Sequence, residues 1–427
     1  MDYIKKIKII KNHFLKHYIN KDYVKAMQVG EQLVNMYKVN KLTYLHEYPL
    51  DMYEVACVYD ENGKLAKAKE LYKQASAVIL NKGEDNLTDE DLKIIGNICT
   101  NNAIIYQKTG KPENAAIYFK KAYNYTHSLL PDAKKDFADS CYNLGTVYKE
   151  KKRFGEAAHY YAEALNLRTE KDILYADNLF NLGICYVENS CSSIGFEFIK
   201  NSLEIYKLND CPDEYIAALN FYGALLYSVQ NYSEAHECYN ELCTLVEQQI
   251  GTNSPAYAYV SSSLANCCSK TGDGEMAIRL KEKALNILKN QLSTDSVYYL
   301  HTLEELAHIH LENKDYEKGA VLLAEVLDGF SKSLGLYNDK CTELVLELTN
   351  VYWKMNLQKK SFHLLNYALN NIPEKNKAYE KLVLKLISLC LEVQDGQGLN
   401  EAFVLFNKIH PEKSFDEMLD MAEDIDY

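Results

Sequence analysis

Asn101, Asn143 and Asn181 recur at spacings of 42 and 38 residues, each two residues before a small residue: Ala103, Gly145 and Gly183. A primary amide donates and accepts hydrogen bonds at once. A row of asparagines can therefore grip an extended peptide backbone without reading its side chains. Tyr142 and Phe180 stand beside two members of the row and are suited to apolar pockets. One residue after the matching small positions further along come Asn266, His308 and Asn350, which continue the polar character. These eight residues form the candidate binding face for a peptide or protein segment. Asparagine that merely tolerates a solvated helix face is the plain alternative, and residue types alone leave both open.

Other chemistry is thin. The sequence contains no GxGxxG or GxxxxGK[ST] phosphate loop, no HExxH and no GxSxG, so no catalytic residue and no enzyme activity is expected. His301, His308 and His310 are the densest histidine group, but a zinc site would still want a third ligand at a suitable angle. No metal and no cofactor is expected. The 12 cysteines include no CxxC, and Cys267 and Cys268 are the one adjacent pair. Such a pattern suits small apolar packing in a reducing, cytoplasmic setting better than a disulfide framework.

The elements that must position the asparagines are legible as a repeat. Phe14, Ala56, Ala103, Gly145, Gly183, Gly223, Ala265, Ala307, Thr349 and Cys390 follow one another at intervals of 38 to 47 residues, most often 42. Twelve residues after each stands a small residue: Ala26, Ala68, Ala115, Ala157, Gly195, Ala235, Ala277, Gly319, Ser361 and Ala402. Large residues, often tyrosine, recur three and sixteen positions after the first anchors, at helical spacing. Two antiparallel helices can approach to about 8–10 Å only where small residues face each other, with aromatic knobs beside the crossing. The pattern predicts an all-α chain of about ten helix-turn-helix units. It runs over residues 1–413, and an acidic helix or tail follows over 414–427.

The segment NLGTVYKEKKRFGEAAHYYAEALNL (143–167) resembles a tetratricopeptide repeat (TPR). That family's usual period is about 34 residues. The longer unit here, with linkers such as IGTNSPAYAYVSSSLANCC (250–268), is similar to the kinesin-light-chain-like subclass. The resemblance implies a right-handed α-solenoid whose first helices line a concave groove, the surface that would carry the asparagine row. It also implies a non-enzymatic adaptor role. The residues at the carboxylate-clamp positions of chaperone-binding relatives, such as Thr100, Tyr142 and Phe180, depart from the Lys and Asn of that clamp.

Charge narrows the partners. The chain has 47 Lys+Arg against 60 Asp+Glu, a net charge of −13, and its only arginines are Arg153, Arg168 and Arg279. A phosphate backbone would be repelled and the bidentate chemistry of arginine is nearly missing, so no nucleic acid is expected. The longest uncharged stretch, Gln248 to Ser269, is too polar to span a bilayer, so no membrane insertion is expected. Residues 1–41 carry nine lysines and three acids, whereas the end, SFDEMLDMAEDIDY (414–427), is acidic. The tail is expected to seal the last repeat through a Ser414–Glu417 capping box. A sharper alternative docks it on a basic first unit, which would make a homo-oligomer possible.

The sequence thus points to a cytoplasmic scaffold or adaptor that binds a peptide or protein segment in the groove. The alternative is a peptide-responsive intracellular regulator, similar to the quorum-sensing pheromone receptors, acting on a partner protein. Those receptors add an effector module, and a repeat that begins almost at residue 1 is expected to leave no room for one.

Overall fold

A computed structural model describes residues 3–335, 338–373 and 376–423. Among the described residues the chain is all α-helix apart from one short 3-10 turn at Glu84–Asn86, and contains no strand. It is an α-solenoid built of helix pairs. Two compact units divide between Ala218 and Leu219, inside the eleventh helix.

The first unit pairs α1 (Tyr3–Ile19) with α2 (Tyr23–Val39), and α3 (Glu47–Glu61) with α4 (Leu65–Leu80). Next come α5 (Asp89–Lys108) with α6 (Pro112–His127), α7 (Lys134–Glu150) with α8 (Phe154–Leu167), and α9 (Ile173–Glu188) with α10 (Ser192–Leu208). The boundary crosses α11 (Pro212–Ser228). The second unit continues with α12 (Tyr232–Ile250), α13 (Pro255–Lys270), α14 (Gly274–Gln291), α15 (Val297–Glu312) and α16 (Tyr316–Leu334). It ends with α17 (Asp339–Lys354), α18 (Gln358–Asn371), α19 (Lys377–Glu392), α20 (Gly396–Asn407) and the short α21 (Phe415–Glu423).

The small residues do what the spacing requires. Ala26, Ala68, Ala115, Ala157, Ala235, Ala277, Ser361 and Ala402 are fully buried at the crossings, and Gly195 and Gly319 are buried with them. Beside the crossings aromatic residues stack, as in Tyr106 on Tyr118 and Tyr148 on Tyr160, both at 5.4 Å between ring centroids.

Each turn between paired helices is closed by one repeated device. A residue seven after the first anchor takes a left-handed backbone, from Lys21 through Gly63, Gly110, Lys152, Ser190, Gln230, Gly272 and Lys314 to Asn356. The next N–H then donates back across the turn to the carbonyl three after the anchor. Examples are Arg153 N to Tyr148 O at 2.9 Å and Asp315 N to His310 O at 2.8 Å. This helix-ending motif consumes carbonyls that would otherwise be orphaned. Glycine suits the left-handed position best, yet lysine, serine, glutamine or asparagine holds it in most units.

The tenth pair differs in register. Its left-handed residue is Gln394, and Asp395 N donates to Cys390 O. By that criterion Ile387, fully buried, holds the place of the other first anchors, and Cys390 lies one helical turn beyond it.

At the far end, Ser414 and Glu417 form the reciprocal cap: Ser414 N donates to Glu417 Oε2 at 2.8 Å, and Glu417 N donates to Ser414 Oγ at 3.2 Å. Met418 and Ala422 of α21 are buried, and Phe415 meets Phe403 edge-on at 5.1 Å. The apolar stripe of the tail is therefore used within its own unit, against α19 and α20. Residues 424–427 of the proposed acidic docking segment lie outside the described residues. No described helix is long and apolar enough to cross a membrane.

Candidate functional site

In the second unit the expected groove residues bond to one another's neighbours. Asn266, one after its anchor, donates to Glu305 Oε1 at 2.7 Å. His308, one after the next anchor, lies with Nε2 2.9 Å from Glu347 Oε1. In both cases the partner is two residues before the following anchor, 39 residues along the chain. The two positions read as a ligand-gripping face thus stitch adjacent helix pairs together.

Glu305 is the centre of this network. Lys281, from α14, is fully buried and donates to Glu305 Oε2 and to Ser262 Oγ, both at 2.6 Å. Ser262 in turn donates to Glu305 Oε2 at 3.2 Å. Burial raises the Glu305 carboxyl, but the charge of Lys281 and the hydrogen bonds from Lys281 and Asn266 hold it below its ordinary value. Burial pulls the Lys281 ammonium below its ordinary value despite Glu305. The hydrogen bond to Glu347 raises His308 above its ordinary value, against the opposing effect of burial. A polar cavity of about 220 Å³ opens beside these groups, lined by Tyr227, Asn266, Ser269, Lys270, Glu305, His308, Ile309 and Glu312. Lys270 and Ser269 both bond Glu312 at its edge, at 2.6 and 2.9 Å.

In the first unit the asparagine row divides. Asn101 Nδ2 donates to the Tyr72 hydroxyl at 2.9 Å. Asn181 is buried; its Nδ2 donates to Asp177 O at 2.8 Å and to the Tyr142 hydroxyl at 3.3 Å, and its Oδ1 accepts from Lys149 Nζ at 2.5 Å. Tyr142 leans edge-on against Tyr161 with ring centroids 5.6 Å apart, so its ring serves packing. Phe180 on α9 is half-buried. Asn143 and Asn350 are half-buried, and among the described residues neither side-chain amide has a hydrogen-bonding partner. Two of the three rungs are thus committed within the protein, and Asn143 and Asn350 remain available.

Asn181→Ala removes an acceptor from Lys149, whose pKa is already lowered by burial, and a donor from Tyr142. It is expected to cost about 2 kcal/mol in urea unfolding of the full chain, since partly buried groups are left unpaired. Asn143→Ala should stay within about 0.5 kcal/mol of the wild type. Equal losses in the two variants would contradict this division.

The functional residues outside the candidate face were Lys281, Lys149, Glu305 and Glu347, although the last two stand at the asparagine-row position, two before an anchor. Lys281 had a signal: it stands sixteen after its anchor, where other units carry Tyr72, Phe119, Tyr161, Tyr239 or Leu323. A lysine in a row of core residues calls for a buried partner.

The fold and this face define a helix-pair repeat protein whose exposed first-helix surface is polar and partly pre-bonded. The tetratricopeptide-repeat family model matches residues 97–126, 138–171 and 213–290. Those segments, about a third of the chain, are tetratricopeptide repeats, a repeat that typically mediates protein–protein interaction. No curated protein matches the sequence. Among solved structures, it is similar to the TPR-like repeats of a kinesin light chain from Podospora anserina (16% identity, 46% of this chain and 96% of that one, TM-score 0.42). It is also similar to BtubC from P. vanneervenii (17% identity, 53% and 94%, TM-score 0.43). A third is the C-terminal part of a TPR protein from Cytophaga hutchinsonii (15% identity, 68% and 98%, TM-score 0.47).

Proposed function

We propose that this protein is an adaptor that binds peptide or protein segments along its first-helix faces, with the amide of Asn143 a backbone-holding group in the first unit and that of Asn350 one in the second. The observation that supports this reading is their state: half-buried, polar and without a partner among the described residues. Such an amide is held in place by its helix, so little further ordering is needed to bond a passing peptide group. Lys270 at the polar cavity offers a cation to a segment bound on the second unit, already flanked by Glu312. The 12 cysteines are all free, which supports a reducing compartment.

Capture from native lysate tests the reading, comparing wild type with an Asn143→Ala/Asn350→Ala double variant of equal helical content. Each backbone hydrogen bond contributes about 1 kcal/mol, so loss of the amide that meets a given partner should weaken its retention about 5-fold. Equal retention by both proteins would remove the two amides from the binding face.

A further inference from the structure

Glu304 and His308 lie four residues apart on α15, and therefore on one helix face a turn apart. Glu347 reaches the same spot from α17. One ligating atom from each of the three lies within 4.8 Å of the other two. His308 Nε2 and Glu347 Oε1 are already 2.9 Å apart. The third ligand that the histidines lacked in the sequence is thus supplied by the next helix pair, 39 residues on.

A second observation concerns Glu304 itself. It is only 6% exposed, and its Oε1 accepts from Lys340 Nζ at 2.6 Å. Its Oε2 is buried and has no hydrogen-bond partner among the described residues. A buried carboxylate oxygen left unpaired is destabilising, so a cation placed against it would meet an unmet need. Lys340 meanwhile fixes the other oxygen, as outer-shell partners of metal-binding carboxylates do.

We propose that Glu304, His308 and Glu347 bind one Zn2+ ion, with water in the fourth position. One imidazole and two carboxylates form a mixed nitrogen and oxygen set. Zinc accepts that set in tetrahedral geometry, whereas calcium and magnesium prefer oxygen alone and more ligands. Zinc–ligand bonds of about 2.1 Å place the ligand atoms about 3.4 Å apart, so the wider pairs close by at most about 1.4 Å while His308 Nε2 and Glu347 Oε1, now 2.9 Å apart, open by about 0.5 Å. Changes of side-chain rotamer cover that distance. The site does not depend on what the groove binds.

The test titrates the full, reduced chain with Zn2+ against a chromophoric chelator, and separately with Co2+ followed by its absorption. Three variants are compared: His308→Gln, Glu347→Gln and Cys191→Ser/Cys211→Ser. The glutamine at 308 keeps a donor toward Glu347, so the helix contact survives while the imidazole is lost. Circular dichroism matching the wild type confirms that each variant is folded. The expected result is one Zn2+ per chain, bound at least about 10-fold more weakly by the His308 and Glu347 variants and unchanged in the cysteine variant. The bound Co2+ should show ligand-field bands without thiolate charge transfer. Zinc binding indifferent to His308 and Glu347, binding lost in the cysteine variant, or a thiolate charge-transfer band would each overturn the proposal.

Discussion

Replacing Glu305 by alanine is expected to lower the stability of the second unit by about 3 kcal/mol. The cause is Lys281, which is fully buried and whose ammonium is shared between Glu305 and Ser262. Removing one partner of a buried ion pair leaves an uncompensated charge, which costs about 3–5 kcal/mol; the lower end applies because the Glu305 side chain is 25% exposed. Removing Lys281 instead should be far milder, because the carboxylate it leaves is 25% exposed and still accepts from Asn266 and Ser262. Lys281→Met keeps the length of the side chain at a position where other units carry apolar residues, and is expected to cost less than about 1.5 kcal/mol. The double variant should recover most of the loss.

The signs of the pH dependence follow from the same pair. Burial holds Lys281 below its ordinary value in the folded state, so its charged form penalises folding below that lowered value. The penalty fades as pH rises from there toward the ordinary lysine range. Without Glu305 the penalty is larger, so Glu305→Ala should regain stability on the alkaline side more than the wild type does. Glu305 is depressed in the folded state, so its contribution is present above the ordinary carboxylate range and is lost as pH falls through the depressed value. Urea unfolding, with hydrogen exchange along α13 to α15, reads both effects. A Glu305→Ala protein within about 0.5 kcal/mol of the wild type would show that water, not Glu305, compensates the lysine.

The helix pairs were legible because close packing forces a small residue at every crossing, and that constraint repeats whatever the partner. Gly195 against Gly183 and Gly319 against Ala307 carry the signal at their crossings. The turns were harder to read. Their left-handed position is usually marked by glycine, but Lys152, Gln230 and Lys314 occupy it here. The tenth pair slipped for a related reason: Cys390 and Ala402 satisfy the twelve-residue rule, while the turn bond from Asp395 to Cys390 puts the register on Ile387. The candidate face was legible only as positions. Reading each unit alone makes Asn266 and His308 look outward. Their actual partners, Glu305 and Glu347, lie almost one period away, where a complementary pair separated by 39 residues is the signal to seek.

Gly195→Ala should destabilise the first unit by about 3 kcal/mol, at the upper end of what overpacking costs. A Cβ at Gly195 would lie 2.6 Å from the carbonyl oxygen of Gly183 and 2.9 Å from the backbone nitrogen of Val187. Those are backbone atoms, so α9 and α10 would have to move apart as whole helices. The paired glycines thus account for the departure of this unit from the Ala pattern as a close backbone approach, within helices that run unbroken through both positions. Two further glycines calibrate the claim. At Gly145 the three atoms nearest the added Cβ all belong to the ring of Tyr161, at 3.0 to 3.2 Å, and a ring can yield by a few tenths of an ångström. About 1 kcal/mol is expected there. At Gly155 nothing lies within 4 Å, and alanine should stabilise α8 by up to about 1 kcal/mol through helix propensity. The order Gly155→Ala, Gly145→Ala, Gly195→Ala, from most to least stable in urea, therefore tests whether steric approach or backbone freedom selects glycine at these positions. If backbone freedom were the reason, all three alanine variants would shift together, and the separation between Gly155 and Gly195 would vanish.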